Sequence, residues 1–459
     1  MADVQRTIED CEAKLDHFDR QIRQENLEYL KEFVKKGDIL MAPEKEIANL
    51  HCHTFFSYNG FGYSPTHLAW LGKKNGLKFM GIIDFDVLDG VNEFLEACES
   101  LELRSSAGIE TRVFIPQFGE REINSPGEPG VYYHMGIGFT SSATPQGAKA
   151  QIDDIRKQVR QRNCRVLDSV NTFLDPLQLD YEKDILPLTP SGNATERHMV
   201  TAIVQKSYDM FDDPVLFWSK KLGQSLEEVS TGLNDLETFK NIVRKKLMKR
   251  DGVGYVKPTA DTFPHVDEFH QMLRACQAIP CAAWLDGTTR GEQDIEELLT
   301  LLIDKGTAAI NIIPERNWNI TDPDIKQEKV KNLYHIVDLA EKLDLPVLVG
   351  TEMNSFGQKF VDDFSTPEMK PLTSTFIKGA WFIYGHTWMQ KRWEIGFQSR
   401  WAGQYFIDRK SRNDFYISAG KLLPPKITDP TLINEINKSQ APEEVLLKLA
   451  TIKEHEQSE

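Results

Sequence analysis

The sequence predicts an α/β protein whose short buried strands alternate with helices and assemble into a parallel sheet or barrel. Three observations carry this reading. From about residue 46, short apolar runs bounded by Gly and Asp alternate with helical patterns, which is how strand–helix–strand units read. At 459 residues the chain suits a large barrel with insertions, or two domains, and buries a substantial core. It shows neither internal repeats nor a low-complexity linker.

Taken in order, residues 5 to 36 place Leu15, Phe18, Ile22, Leu27, Leu30 and Val34 roughly at helical spacing. Residues 1–44 are therefore expected to form a helical N-terminal extension. The alternating text follows as EIANLHCHT, PTHLAWLGKKNG, FMGIIDFD, VNEFLEACESL and RSSAGIETRVF, with YYHMGIGF as a further strand. Residues from about 144 to 255 are largely helical and charged, and read as a helical insertion. Alternation resumes with HVDEFHQMLRACQ, IPCAAWLD, DIEELLTLLIDKG, AAINII, KVKNLYHIVDLAEKLD and LPVLVGTE. The interrupted barrel thus spans 45–364. Residues 365–459 are left as a C-terminal extension of mixed character packed on it, including the strand-like aromatic run AWFIYG.

Composition narrows the partners. With 54 Lys and Arg against 69 Asp and Glu, the formal charge is -15, which argues against nucleic acid as a general partner. Six cysteines without a CxxC pair fit reduced thiols better than a disulfide framework. The N-terminal stretch MADVQRTIEDCEAKLDHFDRQ lacks an apolar signal core, and no run of about 18 apolar residues occurs. The expectation is a soluble, cytoplasmic protein with no membrane partner; a homo-oligomer is left open.

The chemistry centres on NLHCHTFFSYNGFGYSP, where His51 and His53 stand two apart. Alternate residues of a strand share a face, so both imidazoles point one way at a strand end, where barrel active sites lie. Such a pair can present two nitrogens to one cation. The H-x-H pattern alone is a weak signal, since two packed imidazoles read identically.

Its company is more specific. NLHCHT, SYNG and SP are followed by GLKFMGIIDFDVLDG (Gly76 to Gly90), by Gly108-Ile109-Glu110, by HMGIGF with His134, by TERHMVTAIV, and by Gly350-Thr351-Glu352-Met353-Asn354. This ordered series over roughly residues 46 to 362 resembles the PHP (polymerase and histidinol phosphatase) superfamily of metal-dependent phosphoesterases. The resemblance implies a PHP-type distorted (β/α)7 TIM-like barrel holding up to three divalent ions. The chain also departs from that pattern: Tyr58 or Asn59, Phe85, Trp284 and Asn354 stand where the family has an acid or histidines, and Glu352 replaces an aspartate. What survives of the implied ligand set is His51, His53, Glu110 and Glu352, enough for one divalent metal ion, Zn, Mn or Fe. A second ion would need Glu110 to bridge and His134 to join it.

Other candidates carry two readings each. Asp84 and Asp86 end a strand, where one can orient a metal-bound His or act as a base, or simply cap a helix. Arg197 and His198, on a helix after an N-cap at Ser191 or Asn193, can reach over the barrel mouth to an anion. Arg290 and Arg316 each follow an apolar strand and suit bidentate phosphate or carboxylate recognition; Lys257 and Lys359 are weaker versions of the same idea. His386, in FIYGHTWMQ, completes a site or packs in a Trp-rich core. His17, His265, His270, His335 and His455 have no supporting neighbours. Three functions follow: a metal-dependent hydrolase, most simply a phosphoesterase on a small anionic metabolite; a metal-dependent lyase or isomerase on a sugar or carboxylate; or a non-catalytic binding protein. Retention of costly polar groups at a strand end argues against the last.

Overall fold

The fold is that of a computed structural model, which describes residues 2–259 and 262–456. Two helices, α1 (Ala2–Lys14) and α2 (Arg20–Lys36), precede β1 (Lys45–Cys52), α3 (Pro65–Lys74), β2 (Leu77–Phe85), α4 (Val91–Ser100), β3 (Arg104–Phe114) and β4 (Val131–Ile137). Five helices follow: α5 (Gln146–Leu174), α6 (Glu196–Met210), α7 (Pro214–Leu222), α8 (Leu226–Leu233) and α9 (Leu236–Met248). The alternation then resumes with α10 (Val266–Ala275), β5 (Ile279–Trp284), α11 (Arg290–Gln293), α12 (Ile295–Asp304), β6 (Ala309–Ile312), α13 (Glu315–Trp318), α14 (Pro323–Lys342) and β7 (Val347–Val349). Residues beyond β7 form α15 (Thr373–Trp393), α16 (Arg400–Tyr405), α17 (Arg409–Leu422), α18 (Pro430–Ile433) and α19 (Pro442–Glu456).

The seven strands lie side by side in chain order. Past the end of β7, Glu352 bridges Cys52 of β1, with His53 N–H donating to Glu352 O and Glu352 N–H to His51 O, both at 2.7 Å. The sheet is thereby nearly closed into a distorted TIM-like barrel ringed by helices. It is not wholly parallel. β4 runs antiparallel to both β3 and β5, because residues 115–130 contain only a short 3₁₀ turn. Without a crossover helix, the chain can only turn back beside the strand it has left. β4 therefore ends at the floor of the barrel. α5, of 29 residues and so about 43 Å long, carries the chain upward again, and α10 packs against it before β5 begins.

Three large cores, beside a small cluster of Phe55, Phe56 and Val87, divide the packing of the described residues. One lies between the outer face of the sheet and the surrounding helices. A second joins Val166, Val170, Ile203, Trp218, Phe239 and Leu247 within α5–α9. The third fills the lower barrel, where Leu50, Phe79, Ile279 and Leu348 meet the helices after β7. Here the sequence expectation of a strand at AWFIYG is corrected: these residues belong to α15. Short aromatic runs do not reveal their period, and α15 is buried on nearly all sides, Phe376, Phe382, Tyr384, Trp388 and Trp393 included. It crosses the strands' N-terminal ends, with Trp381 against Phe79 at 4.6 Å and beneath Arg104, while Gly379 lies on the Val347 backbone. His386 is packed there as well. Its Nε2–H donates to Gly138 O at 3.1 Å and its Nδ1 accepts from Phe397 N–H at 2.9 Å, and burial brings its pKa down to about 4. It is a satisfied core imidazole at the floor, away from the barrel mouth.

At the other end of the chain, Arg23 on α2 lies against Glu93 on α4, both buried, with Nε to Oε1 at 2.8 Å. Thr66 Oγ1 donates to the same carboxylate at 2.7 Å, and Trp70 Nε1 to Glu12 Oε1 at 2.7 Å. These bonds fix α1 and α2 on α3 and α4.

The contact of α15 with α17 makes a prediction of opposite sign to helix propensity. A Cβ on Gly385 would sit 2.0 Å from Tyr416 O. Gly385→Ala favours the helix by up to about 1 kcal/mol, yet we expect a net loss of about 1–3 kcal/mol from overpacking, read as a lowered denaturation midpoint.

Candidate metal centre

His51 and His53 reach one face by a device the strand pattern did not reveal. Between Asn49 and Cys52 the register of β1 against β2 slips, as in a β-bulge, a feature that re-aims side chains next to active sites. Both imidazoles then point inward with Glu110 of β3. Their Nε2 atoms are 3.3 Å apart, and Glu110 Oε2 lies 3.4 Å from His51 Nε2 and 3.3 Å from His53 Nε2. All three residues are buried.

The surrounding hydrogen bonds decide what those atoms offer. His51 Nδ1 faces Asn311 Oδ1 at 3.0 Å, so it carries the proton. His53 Nδ1 faces Ser57 Oγ at 3.1 Å. That hydroxyl spends its own hydrogen on Asp84 Oδ1 at 2.6 Å, leaving it an acceptor for His53. Neutral imidazoles protonated at Nδ1 present lone pairs at Nε2. Three acceptors therefore converge with no donor between them. A tetrahedral cation with bonds of about 2.0–2.1 Å sets its ligand atoms about 3.3–3.4 Å apart, which is the triangle found. The residues fit a divalent cation. Without one, a proton has to take its place, as the titration of the groups reflects: burial opposes the charge on His51, but Glu110 more than offsets it and raises the imidazole's pKa. Burial likewise raises Glu110, and the two histidines outweigh it to bring the carboxyl down to about 2.

Of the three roles open to Asp84 in the sequence, its contacts fit the orienting one. Buried at the end of β2, it accepts from Thr54 N–H and Thr54 Oγ1, each at 2.7 Å, as well as from Ser57. It thus braces the loop that holds His53. Phe85 stacks on the His53 ring at 4.1 Å and shields it. Asp86 has a left-handed backbone, φ 62°, unusual for a residue other than glycine and a recurrent feature of active sites. Its N–H donates to Glu110 O at 2.9 Å and its carboxylate accepts from Thr111 Oγ1 at 2.5 Å. Burial raises its pKa to about 6, with Glu110 adding to the rise and Thr111 and Arg112 opposing it.

The centre lies in a cavity of about 670 Å³ that also takes in Tyr58, Asp86, Arg197, Trp284, Asn311, Arg316, Glu352 and Asn354. Glu352 and Met353 both have left-handed backbones, φ 63° and 54°. The Glu352 carboxylate accepts from Asn354 Nδ2 at 3.2 Å and pairs with Arg316. It stands at the mouth beside the His–His–Glu cluster and is engaged by Arg316, so it is not brought into the ligand triangle. Arg197 lies over the Tyr58 ring at 5.6 Å.

Several expected site residues are placed elsewhere. His134 faces outward, because Glu110 pairs in register with Met135 and neighbours alternate across the sheet. Its Nε2 meets His270 Nε2 at 2.6 Å, and burial lowers its pKa well below the ordinary value. It joins no ligand set with His51. His198 is a helix cap: Thr195, not Ser191 or Asn193, is the N-cap of α6, and His198 Nδ1 accepts from Thr195 N–H at 3.1 Å. Arg290 is exposed at the start of α11 and does not line the cavity. Lys359 pairs with Glu315 over Trp318, and Lys257 is not a lining residue either.

The cavity also contains residues that the sequence reading passed over: Arg112, Arg162, Arg244, Lys245, Lys249 and Arg250. Five of the seven residues in RKKLMKR, 244–250, are basic. That run was the available signal in an acidic chain, masked by its place in a generally charged helical segment.

No family model and no curated protein matches the chain. Among solved structures it is similar to an amidohydrolase from Chromobacterium violaceum with bound sulfate and no metal, at 13% identity and a TM-score of 0.48, covering 72% of this chain and 96% of that one. It is also similar to a protein from Bifidobacterium adolescentis assigned as a metal-dependent phosphoesterase, at 16% identity and a TM-score of 0.46, covering 73% and 98%. What the site can do follows from its own side chains.

Ser57 supplies a test of the arrangement. Ser57→Ala keeps all three ligand atoms but removes the acceptor for His53 Nδ1–H. Outer partners of ligating histidines typically contribute about 10–100-fold in metal affinity, and a loss of that size is expected in competition with a chromophoric chelator.

Proposed function

We propose that the protein is a metal-dependent hydrolase, a divergent member of the PHP superfamily with a reduced ligand set, acting as a phosphoesterase on a small anionic metabolite. The observation that carries this reading is the convergence of His51 Nε2, His53 Nε2 and Glu110 Oε2, all acceptors, at 3.3–3.4 Å in a cavity rich in cationic side chains. One Zn, Mn or Fe ion suits mixed imidazole and carboxylate ligation. When bound, such an ion polarises a phosphoryl oxygen and acidifies water.

The chain's own residues supply the rest. Asn311 holds His51 through Oδ1, while its buried Nδ2 has no partner among the described residues. Asn311 lines the cavity and acts there by fixing the His51 ring. Asp86 lines the same cavity, held by Thr111 and the backbone beside Glu110, and is the candidate to move a proton to or from the leaving group. Arg316 and Arg197, at the rim, are suited to steady a phosphate by charge-assisted hydrogen bonds. Trp284 and Phe85 give the cavity part of its apolar lining.

The test is a combined assay of metal content and turnover. Purified protein is expected to carry about one transition-metal ion per chain, and to hydrolyse one or more of a panel of phosphomonoesters and cyclic phosphodiesters. His51→Ala with His53→Ala is expected to lose both the ion and the activity. Full metal content in that double variant would sink the ligand assignment, and turnover confined to unphosphorylated sugars or acids would reject the phosphoesterase reading in favour of lyase or isomerase chemistry.

A further inference from the structure

The cavity has a second pole, built by the helices between β4 and β5. Arg162 of α5, Glu196 of α6, Arg244 of α9 and Lys249 just beyond it all face the same space as the centre. Glu196 is their common partner: Lys249 Nζ is 2.7 Å and Arg244 Nε 3.1 Å from Oε2, and Arg162 Nη1 is 3.6 Å from Oε1. One carboxylate faces three cations, which leaves two positive charges uncompensated. Including the adjoining pair, Arg112 with Glu128 at 3.3 Å, does not change that balance.

The cluster is partly withdrawn from solvent, with Lys249 the most open of the three cations at 44% exposed and Arg244 at 26%. Arg162 is only 8% exposed, and its Nε has no partner among the described residues. Keeping like charges together in a partly buried site is costly unless an anion joins them. The proton of Lys249 shows the strain: burial first, then Arg244 and Arg112, lower its pKa to about 8 against the pull of Glu196.

We propose that Arg162, Arg244 and Lys249 form a subsite for a phosphomonoester group of the substrate, distinct from the group presented to His51, His53 and Glu110. The charge balance selects the ligand. A phosphomonoester carries about -1.5 to -2 near pH 7, matching the two surplus positive charges, whereas a carboxylate brings only one negative charge. The cavity of about 670 Å³ lies within the ordinary range for small-molecule sites, so one metabolite can occupy both poles. The inference rests on the hydrolase reading for the second group, but the subsite binds phosphate whether or not the centre is loaded. The substrate is then a small organic molecule with a phosphomonoester at one end and the group to be hydrolysed at the other.

The test is calorimetric titration of the full chain with inorganic phosphate and, separately, acetate. Four proteins are compared: the unaltered chain, His51→Ala with His53→Ala, Arg244→Gln, and Lys249→Gln. Arg244 and Lys249 side chains are 26% and 44% exposed, so their replacement leaves the helical core intact, which circular dichroism checks. Phosphate is expected to bind the unaltered chain and the double histidine variant alike, to bind Arg244→Gln and Lys249→Gln roughly tenfold more weakly, and to outcompete acetate. Metal content in the two basic-residue variants should be unchanged. Phosphate binding that vanishes with the histidines yet persists in Arg244→Gln and Lys249→Gln overturns the subsite, and so does acetate binding as tightly as phosphate. Failure of the hydrolase reading registers separately, as absent turnover in a protein that still binds phosphate.

Discussion

Everything at the mouth of the barrel depends on how β1 meets the chain just past β7. The backbones of His51 and His53 exchange hydrogen bonds with Glu352, so the residues that close the sheet are those that carry the candidate ligands. Positional accuracy comes from that coincidence. A ligand triangle with sides of 3.3–3.4 Å requires β1 and β3 to be held rigidly, and sheet hydrogen bonding does this better than loops do. The left-handed residues Glu352 and Met353 lie at this seam, and Asp86, also left-handed, lies beside Glu110 of β3; such strained backbone is stabilised by the surrounding contacts.

The two ends of the barrel divide the labour. The floor is filled by α15 and the helices packed behind it, and His386 there has both ring nitrogens hydrogen-bonded. The mouth stays open, bordered by α5, α6 and α9. The packed floor and the candidate metal centre are separated along the barrel axis, the arrangement that TIM barrels generally adopt. The antiparallel β4 has a part in this. By ending at the floor it obliges the chain to return to the top through α5, and that long helix brings Arg162 to the cavity.

Electrostatics show a similar division. A chain with a net charge of -15 gathers Arg112, Arg162, Arg197, Arg244, Lys249 and Arg316 around one concavity. Field lines in a cleft with low-dielectric walls are focused. Local placement of charge in this cavity thus runs against the global charge of the chain.

The sequence by itself determined much of the chain's organisation. Alternating apolar runs dictated the α/β class, and His-x-His at the end of one strand together with Gly-Ile-Glu within another marked the three residues of the cluster. Those are local signals: a period, a spacing, a residue type that is costly to bury without a purpose. Other features had none. Whether His134 faces in or out depends on the register of β4 against β3, and whether AWFIYG is strand or helix depends on what surrounds it. Asp84 reaches His53 only through Ser57, and RKKLMKR becomes a cavity wall only when α9 is folded over the barrel. Side-chain direction and charge compensation are properties of neighbours distant in sequence, so the tertiary structure alone decided them.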